Sequence, residues 1–211
     1  MQQETQFDLI VVGGGTAGAF SAIAAAREGL KVAVVERGTC LGGLAASSGL
    51  TEMNAAGFQG APLYRGIERE VFDRLIWGGH AAYHFAVPMS SNKEVKIDRL
   101  RYDPERLKLL LEQLAVEAGI TLLYETELTA AREGEEECQI TARGPYQEIA
   151  LSGKYLIDAT GNASLVQALG GETEAADERE RMIATLMFRI SNVDLDQLDA
   201  FIHSPRLGET I

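Results

Sequence analysis

The chain carries an unbroken apolar run early, Leu9-Ile10-Val11-Val12, and comparable runs recur at Lys31 to Val35, Ile120 to Tyr124 and Tyr155 to Asp158. Short runs without alternating polar positions read as strands buried on both faces, the pattern of a parallel sheet covered by helices. Helical spacing fills much of the rest. Ala17 to Glu28 is a stretch of small residues, and Ile67, Val71 and Leu75 predict a helix over 66–77 that Gly78-Gly79 ends. Asp103-Pro104-Glu105 is a helix start: an N-capping acid, a proline at the first position and an acid in the first turn. Leu107, Leu110, Leu111, Leu114 and Ala118 form that helix's apolar stripe, and Gly119 closes it.

Elsewhere the pattern is shorter. Residues 127–151 predict a small antiparallel meander with a charged tip at Glu133 to Glu137 and a turn at Gly144-Pro145. Ala163 to Leu169 predicts a short helix stopped by Gly170-Gly171, Thr185 to Ile190 a strand, and Leu195 to Ile202 a helix. Residues 46–100 read as an excursion from the core. Apart from the 66–77 helix they show little periodicity, and His80 to Lys96 predicts a short strand or two at most.

The most specific chemistry lies between the first two strands. Gly13-Gly14-Gly15-Thr16-Ala17-Gly18 follows the first strand and opens the small-residue helix, and Glu36 closes the second strand, 18 residues past Gly18. Each residue type has a mechanical role at a dinucleotide site. Gly13 permits the tight turn, Gly15 lets backbone approach a pyrophosphate, and Gly18 lets the helix pack closely on the sheet. The helix N-terminus offers free N–H groups and a positive dipole end to phosphates. Glu36 is placed to accept hydrogen bonds from a ribose diol, and an acid there disfavours a 2′-phosphate, hence NADP. Gly42-Gly43 lets backbone pass close to the same ligand, or forms a flexible loop. Ala159-Thr160-Gly161-Asn162 follows the last apolar run, where ligands sit in open α/β sheets.

Composition narrows the class of protein. No run approaches ~18 continuous apolar residues, so no transmembrane helix is expected. The polar start, Met1 to Gln6, has neither a basic region nor a signal-peptide core, which points to the cytoplasm. A net charge of −12 argues against nucleic acid or anionic membrane as partner. Cys40 and Cys138 belong to no CxxC or metal-ligand spacing, and a structural disulfide is not expected. His80 and His84 have helical ligand spacing, but no third ligand follows and Gly78-Gly79 opposes a helix, so no metal site is expected. For Tyr83 and His84 a structural role and a place in a substrate pocket both stand open. Arg65, Arg99 and Arg101 are either solvated surface cations or binders of an anionic substrate.

Taken in order, Val-Val-Gly-Gly-Gly-Thr-Ala-Gly, Val-Glu-Arg, Leu-Gly-Gly-Leu-Ala, the Asp103-Pro104-Glu105 helix start, the meander, Ile157-Asp158-Ala159-Thr160-Gly161-Asn162 and Thr185-Leu186-Met187-Phe188-Arg189 resemble the FAD-dependent oxidoreductase family of two-dinucleotide-binding-domain flavoproteins. The resemblance runs over nearly the whole chain. It implies an α/β fold: a Rossmann-like, mainly parallel sheet with helices on both faces, the meander, and the start of a second domain. On this reading residues 1–171 form the FAD domain and 172–211 begin an incomplete substrate domain. The resemblance implies FAD as cofactor and oxidoreduction of an unnamed small molecule as activity. Gly13, Gly14, Gly15, Thr16, Ala17 and Gly18 would cradle the pyrophosphate, Glu36 the adenosine ribose, and Arg37 would lie beside the adenine. Gly42 and Gly43 would run along the ribityl or pyrophosphate side, the Leu128 backbone would meet the adenine, and Ala159, Thr160 and Gly161 would close over the pyrophosphate.

Thr16 departs from a frequent proline, and Asn162 and Ser164 from common acids, which puts any charge-based role at those two positions in doubt. Disulfide-reductase flavoenzymes pair two cysteines after the second strand. Cys40 has no such partner, so it reads as a small buried thiol, or as a flavin contact. Family members run much longer, so the chain is expected to be an N-terminal piece of a larger flavoenzyme, with apolar surface exposed and prone to dimerise or associate. Two alternatives remain: an NAD-binding enzyme of the same fold, and an inactive nucleotide-binding module that acts by interaction.

Overall fold

The computed structural model describes residues 5–58, 61–88, 94–175, 177, 179, 181 and 184–204. Residues 1–4 of the polar start, 89–93 of the irregular stretch, and 176, 178 and 180 lie outside the described residues.

Strand β1 (Gln6–Val12) leads through the glycine turn into α1 (Thr16–Arg27) and β2 (Val32–Val35). A single turn of helix, α2 (Leu44–Ser47), begins the excursion. It continues through β3 (Glu52–Phe58), β4 (Ala61–Pro62), α3 (Gly66–Trp77), β5 (Ala81–Pro88) and β6 (Lys96–Tyr102). Helix α4 (Pro104–Glu117) and β7 (Thr121–Leu123) return the chain to the main sheet. Strands β8 (Glu127–Arg132), β9 (Cys138–Arg143) and β10 (Glu148–Asp158) follow, then α5 (Ser164–Ala168) and α6 (Leu195–Ile202).

The main sheet has six strands in the order β7-β2-β1-β10-β9-β8. Strands β7, β2, β1 and β10 run parallel, and β10, β9 and β8 pair antiparallel. Alternate residues of β1 divide the core. Leu9 and Val11 join Ile23, Phe72, Leu107, Leu111 and Leu114 under α1, α3 and α4. Ile10 and Val12 join Val35, Ile140, Ala142, Leu151 and Leu165 on the face that α5 covers. The period-2 pleat thus serves two apolar layers from one short run. Asp103 caps α4 as its sequence requires, accepting from the Glu105 N–H at 2.9 Å and the Arg106 N–H at 3.4 Å.

Four expectations need correction. The meander and the last apolar strand are one strand, β10. Its Ser152 and Gly153 pair with Gln139 and Cys138 on one side and with Gln6 and Phe7 on the other, so the polar and small residues that interrupt the apolar pattern are the splice between two ladders. Its C-terminal half is also less buried than expected: Tyr155 is exposed and Leu156 to Asp158 are half-buried. The excursion holds more strands than the one or two read over His80 to Lys96, with β4-β3-β6-β5 forming a second, fully antiparallel sheet. Finally, Thr185–Ile190 forms no strand. It is irregular, with Leu186, Phe188 and Ile190 exposed, since no ladder partner among the described residues satisfies its backbone. Helix α6 forms as expected, with no buried residue.

Candidate functional site

The carboxyl ends of β1, β2 and β10 meet at one edge of the main sheet. Gly13 has φ +99° and donates its N–H to the Val35 carbonyl at 2.8 Å. A Cβ on it would lie 2.4 Å from the Ala159 carbonyl oxygen, so the turn is open to glycine alone. Gly18 is needed for a different reason: a Cβ there would lie 1.9 Å from the Gly13 carbonyl oxygen, which fixes how tightly α1 seats on the strand. Gly15, the N-cap of α1, makes no side-chain cap bond, and nothing lies within 4 Å of where its Cβ would be. The first N–H groups of α1, from Thr16, Ala17 and Gly18, lack helical acceptors by geometry and stand at the positive end of the helix dipole. Gly42 donates to the Gly14 carbonyl at 2.8 Å, and Gly15 and Gly42 form a parallel bridge, which brings the Gly42-Gly43 loop against the turn.

Glu36 stands at the end of β2. Its carboxylate accepts from the Gly14 N–H at 2.6 Å and the Gly38 N–H at 2.5 Å, so it fixes the turn as well as facing outward from it. The backbone continues the join: Thr126 donates to the Glu36 carbonyl and Glu125 to the Gly38 carbonyl, each at 2.9 Å. Beside this join opens a groove of about 560 Å³ lined by Arg37, Gly38, Thr39, Glu125, Glu127, Arg143 and Gly144. Leu128 pairs with Ala142 and packs its side chain on the second core, so its chain neighbour Glu127 lines the groove and Leu128 itself does not.

At the end of β10 the structure adds a residue whose role sequence reading did not assign. One oxygen of Asp158 accepts from the Thr160 N–H at 2.9 Å and the Thr160 hydroxyl at 2.7 Å; the other accepts from the Leu165 and Val166 N–H groups at 3.0 Å each. Burial pushes this carboxyl up, but the bonds from Thr160, Val166 and Leu165 outweigh it and hold it below the ordinary aspartate range. Asp158 therefore caps α5 from the strand and pins the Ala159-Thr160-Gly161 turn. The available signal was an acid ending an apolar strand before Ala-Thr-Gly.

The structure thus brings Gly13 to Gly18, Glu36, Gly42, Gly43, Ala159 and Thr160 together, with Gly161 at the rim and Arg37 in the adjoining groove. Cys40 is half-buried, and burial raises its thiol above the ordinary value. His80 precedes β5 and His84 lies within it, and four residues of strand span ~13 Å, too far to share an ion. Among the described residues no group of three or more His, Cys, Asp or Glu could hold a metal. Arg65 turns to the Pro62 and Tyr64 carbonyls at 2.8 Å each, away from Arg99 and Arg101, which meet at Glu52. No helix among the described residues is long and apolar enough to cross a membrane.

A strand, a glycine turn against the next strand's end, an uncapped helix N-terminus and an acid closing the second strand define a dinucleotide-binding α/β protein. The chain belongs to the FAD-dependent oxidoreductase family, whose sequence profile matches residues 8–209. Comparison with curated proteins gave no match. Among solved structures it is similar to p-nitrophenol 4-monooxygenase PnpA from Pseudomonas putida DLL-E4, with TM-score 0.58, 16% identity, and coverage of 81% of this chain and 45% of that one. It is also similar to a flavoprotein/dehydrogenase from Cytophaga hutchinsonii, with TM-score 0.58, 14% identity, and coverage of 82% and 44%. A third is CabE, an aromatic hydroxylase from angucycline biosynthesis, with TM-score 0.56, 19% identity, and coverage of 78% and 33%. At such identities the likeness defines the fold alone. The chain spans less than half the length of each of these proteins.

The family's cofactor is FAD. The residues present fit its ADP half: open space over Gly15 beside uncapped N–H groups, an acid at the end of β2, and a groove next to it.

Proposed function

We propose that this chain holds FAD by its ADP half and forms the nucleotide-binding part of an oxidoreductase acting on a small molecule. Backbone N–H groups of the Gly13-Gly14-Gly15-Thr16-Ala17-Gly18 turn would take the pyrophosphate, with Thr160 and Gly161 closing over it from Ala159 onward. Glu36 would accept from the ribose hydroxyls with the lone pairs that Gly14 and Gly38 leave free. Arg37 and the backbone around Leu128 would flank the adenine, and Gly42 and Gly43 the ribityl side. When bound, the flavin supplies the hydride or electron transfer; the chain's residues bind, orient and exclude water. Residues 172–211 would begin a second unit. The two free thiols support a reducing compartment, the cytoplasm, as its setting.

The observation that carries this reading is Gly15: it has clear space in front of it and stands at an uncapped helix N-terminus, next in sequence to Gly14, whose N–H the Glu36 carboxylate accepts. Equilibrium titration of the chain with FAD and with NAD tests it. FAD should bind and NAD should not compete. A Gly15→Val chain, its side chain filling the approach path, should lose FAD while keeping its fold, because Gly15 has φ −60°. Saturable NAD binding with no FAD uptake would move the assignment to the NAD alternative.

A further inference from the structure

The second sheet carries a cluster that the nucleotide site does not use. One face of β3, β6 and β5 packs Leu100 and Tyr102 into the core. On the other face the ladder sets Glu52 and Ala82 on either side of Arg101, and His84 beside Arg99. Partners directly across such a ladder have Cβ atoms about 5 Å apart, so these side chains share one surface. The Glu52 carboxylate is divided between Arg99 Nη1 at 2.7 Å and Arg101 Nε at 2.9 Å, and the bonds from Arg101 and Arg99 hold it below the ordinary glutamate range.

The donors exceed the acceptors. A guanidinium carries five N–H donors. Among the described residues Arg101 commits only Nε, and its side chain is 63% exposed. Its Nη edge faces solvent beside Ala82, whose methyl group leaves the floor next to it clear. Two guanidiniums against one carboxylate leave a local positive surplus in a chain of net charge −12. The strand that carries Arg101 is tied to the nucleotide loop through its other face. Tyr102, the residue after Arg101, donates its hydroxyl to the Ala45 carbonyl at 2.8 Å, two residues past Gly43.

We propose that Arg101, with Arg99 and His84 beside it, recognises a carboxylate group of the substrate, so that the substrate class is a small carboxylic acid. Glu52 holds the two guanidiniums at fixed spacing. A planar carboxylate matches the free guanidinium edge, and a surplus of about one charge suits one carboxylate better than a doubly charged phosphate. This inference rests on the FAD oxidoreductase reading, for which it names the substrate class.

The test is calorimetric titration of the FAD-treated chain with succinate, with neutral succinamide and with inorganic phosphate. Succinate should bind and succinamide should not. Arg101→Gln should weaken succinate by about tenfold or more. Glu52→Gln should tighten it by freeing guanidinium donors, whereas Glu135→Gln, the same charge change on the exposed hairpin turn, should leave it unchanged. Circular dichroism confirms that each variant is folded. Equal binding of succinate and succinamide, an unaltered affinity in Arg101→Gln, a Glu135→Gln effect equal to that of Glu52→Gln, or tighter binding of phosphate would each overturn the proposal. Flavin absorbance is read on the same samples. Its absence would count against the FAD reading, while the succinate titration decides the carboxylate site either way.

Discussion

Gly13 and Gly15 are two residues apart and constrained for opposite reasons. Gly13 is fixed by the protein itself, since its φ is +99° and a Cβ would strike the Ala159 carbonyl. Gly15 is unconstrained by the protein: its φ is −60° and nothing lies within 4 Å of where a Cβ would be, which leaves room for a ligand. The two positions therefore separate folding from binding. Gly13→Ala should destabilise the chain by about 2–4 kcal/mol through backbone strain and overpacking, seen as a lowered midpoint in chemical denaturation. Gly15→Val should keep that midpoint within ~1 kcal/mol of wild type and lose FAD. Equal loss of stability in both would show that the turn is a packing device throughout.

At the scale of elements, Asp158 joins β10 to α5 and to the Ala159-Thr160-Gly161 turn with four hydrogen bonds. An asparagine keeps one acceptor oxygen and turns an NH2 group toward N–H donors. Asp158→Asn should cost about 2–3 kcal/mol in denaturant midpoint and weaken FAD binding. The pH dependence follows from the sign of the shift. A carboxyl held below its unfolded value contributes its full stability above that value, and loses it as pH falls toward the folded value. Wild type should lose this increment below about pH 4, and the asparagine variant should not. A parallel acid limb in both proteins would remove Asp158 from the account.

The same elements show what a sequence can convey. β1, α1, β2, α3 and α4 were legible because one period holds throughout each, and α4 also because Asp103 and Pro104 mark its start. β10 was not, because Ser152 and Gly153 serve two ladders and break the apolar pattern that marks either. The second sheet was hidden by its two bulges, which upset alternation between Met53 and Gly57 and between His84 and Val87. Thr185–Ile190 has strand composition, yet composition cannot supply the partner a strand requires. Of the site, the glycines and Glu36 could be read from spacing. The Arg99–Glu52–Arg101 cluster could not, since its members lie 47 and 49 residues apart and meet only through sheet register.

In the whole molecule the parallel strands present their carboxyl ends to a single edge, and the turn, the acid and the Asp158-pinned loop all gather there. The excursion sheet reaches the same edge through Tyr102 and Ala45, by the face opposite the Arg99–Glu52–Arg101 cluster. The central claim is that this edge holds FAD. Its most direct test is the visible absorption spectrum of the purified chain after incubation with FAD and removal of excess, with the released cofactor identified by mass. A flavin band retained by the chain, and a released mass matching FAD, is the expected result. A colourless protein that binds ADP or NAD but takes up no FAD would contradict it.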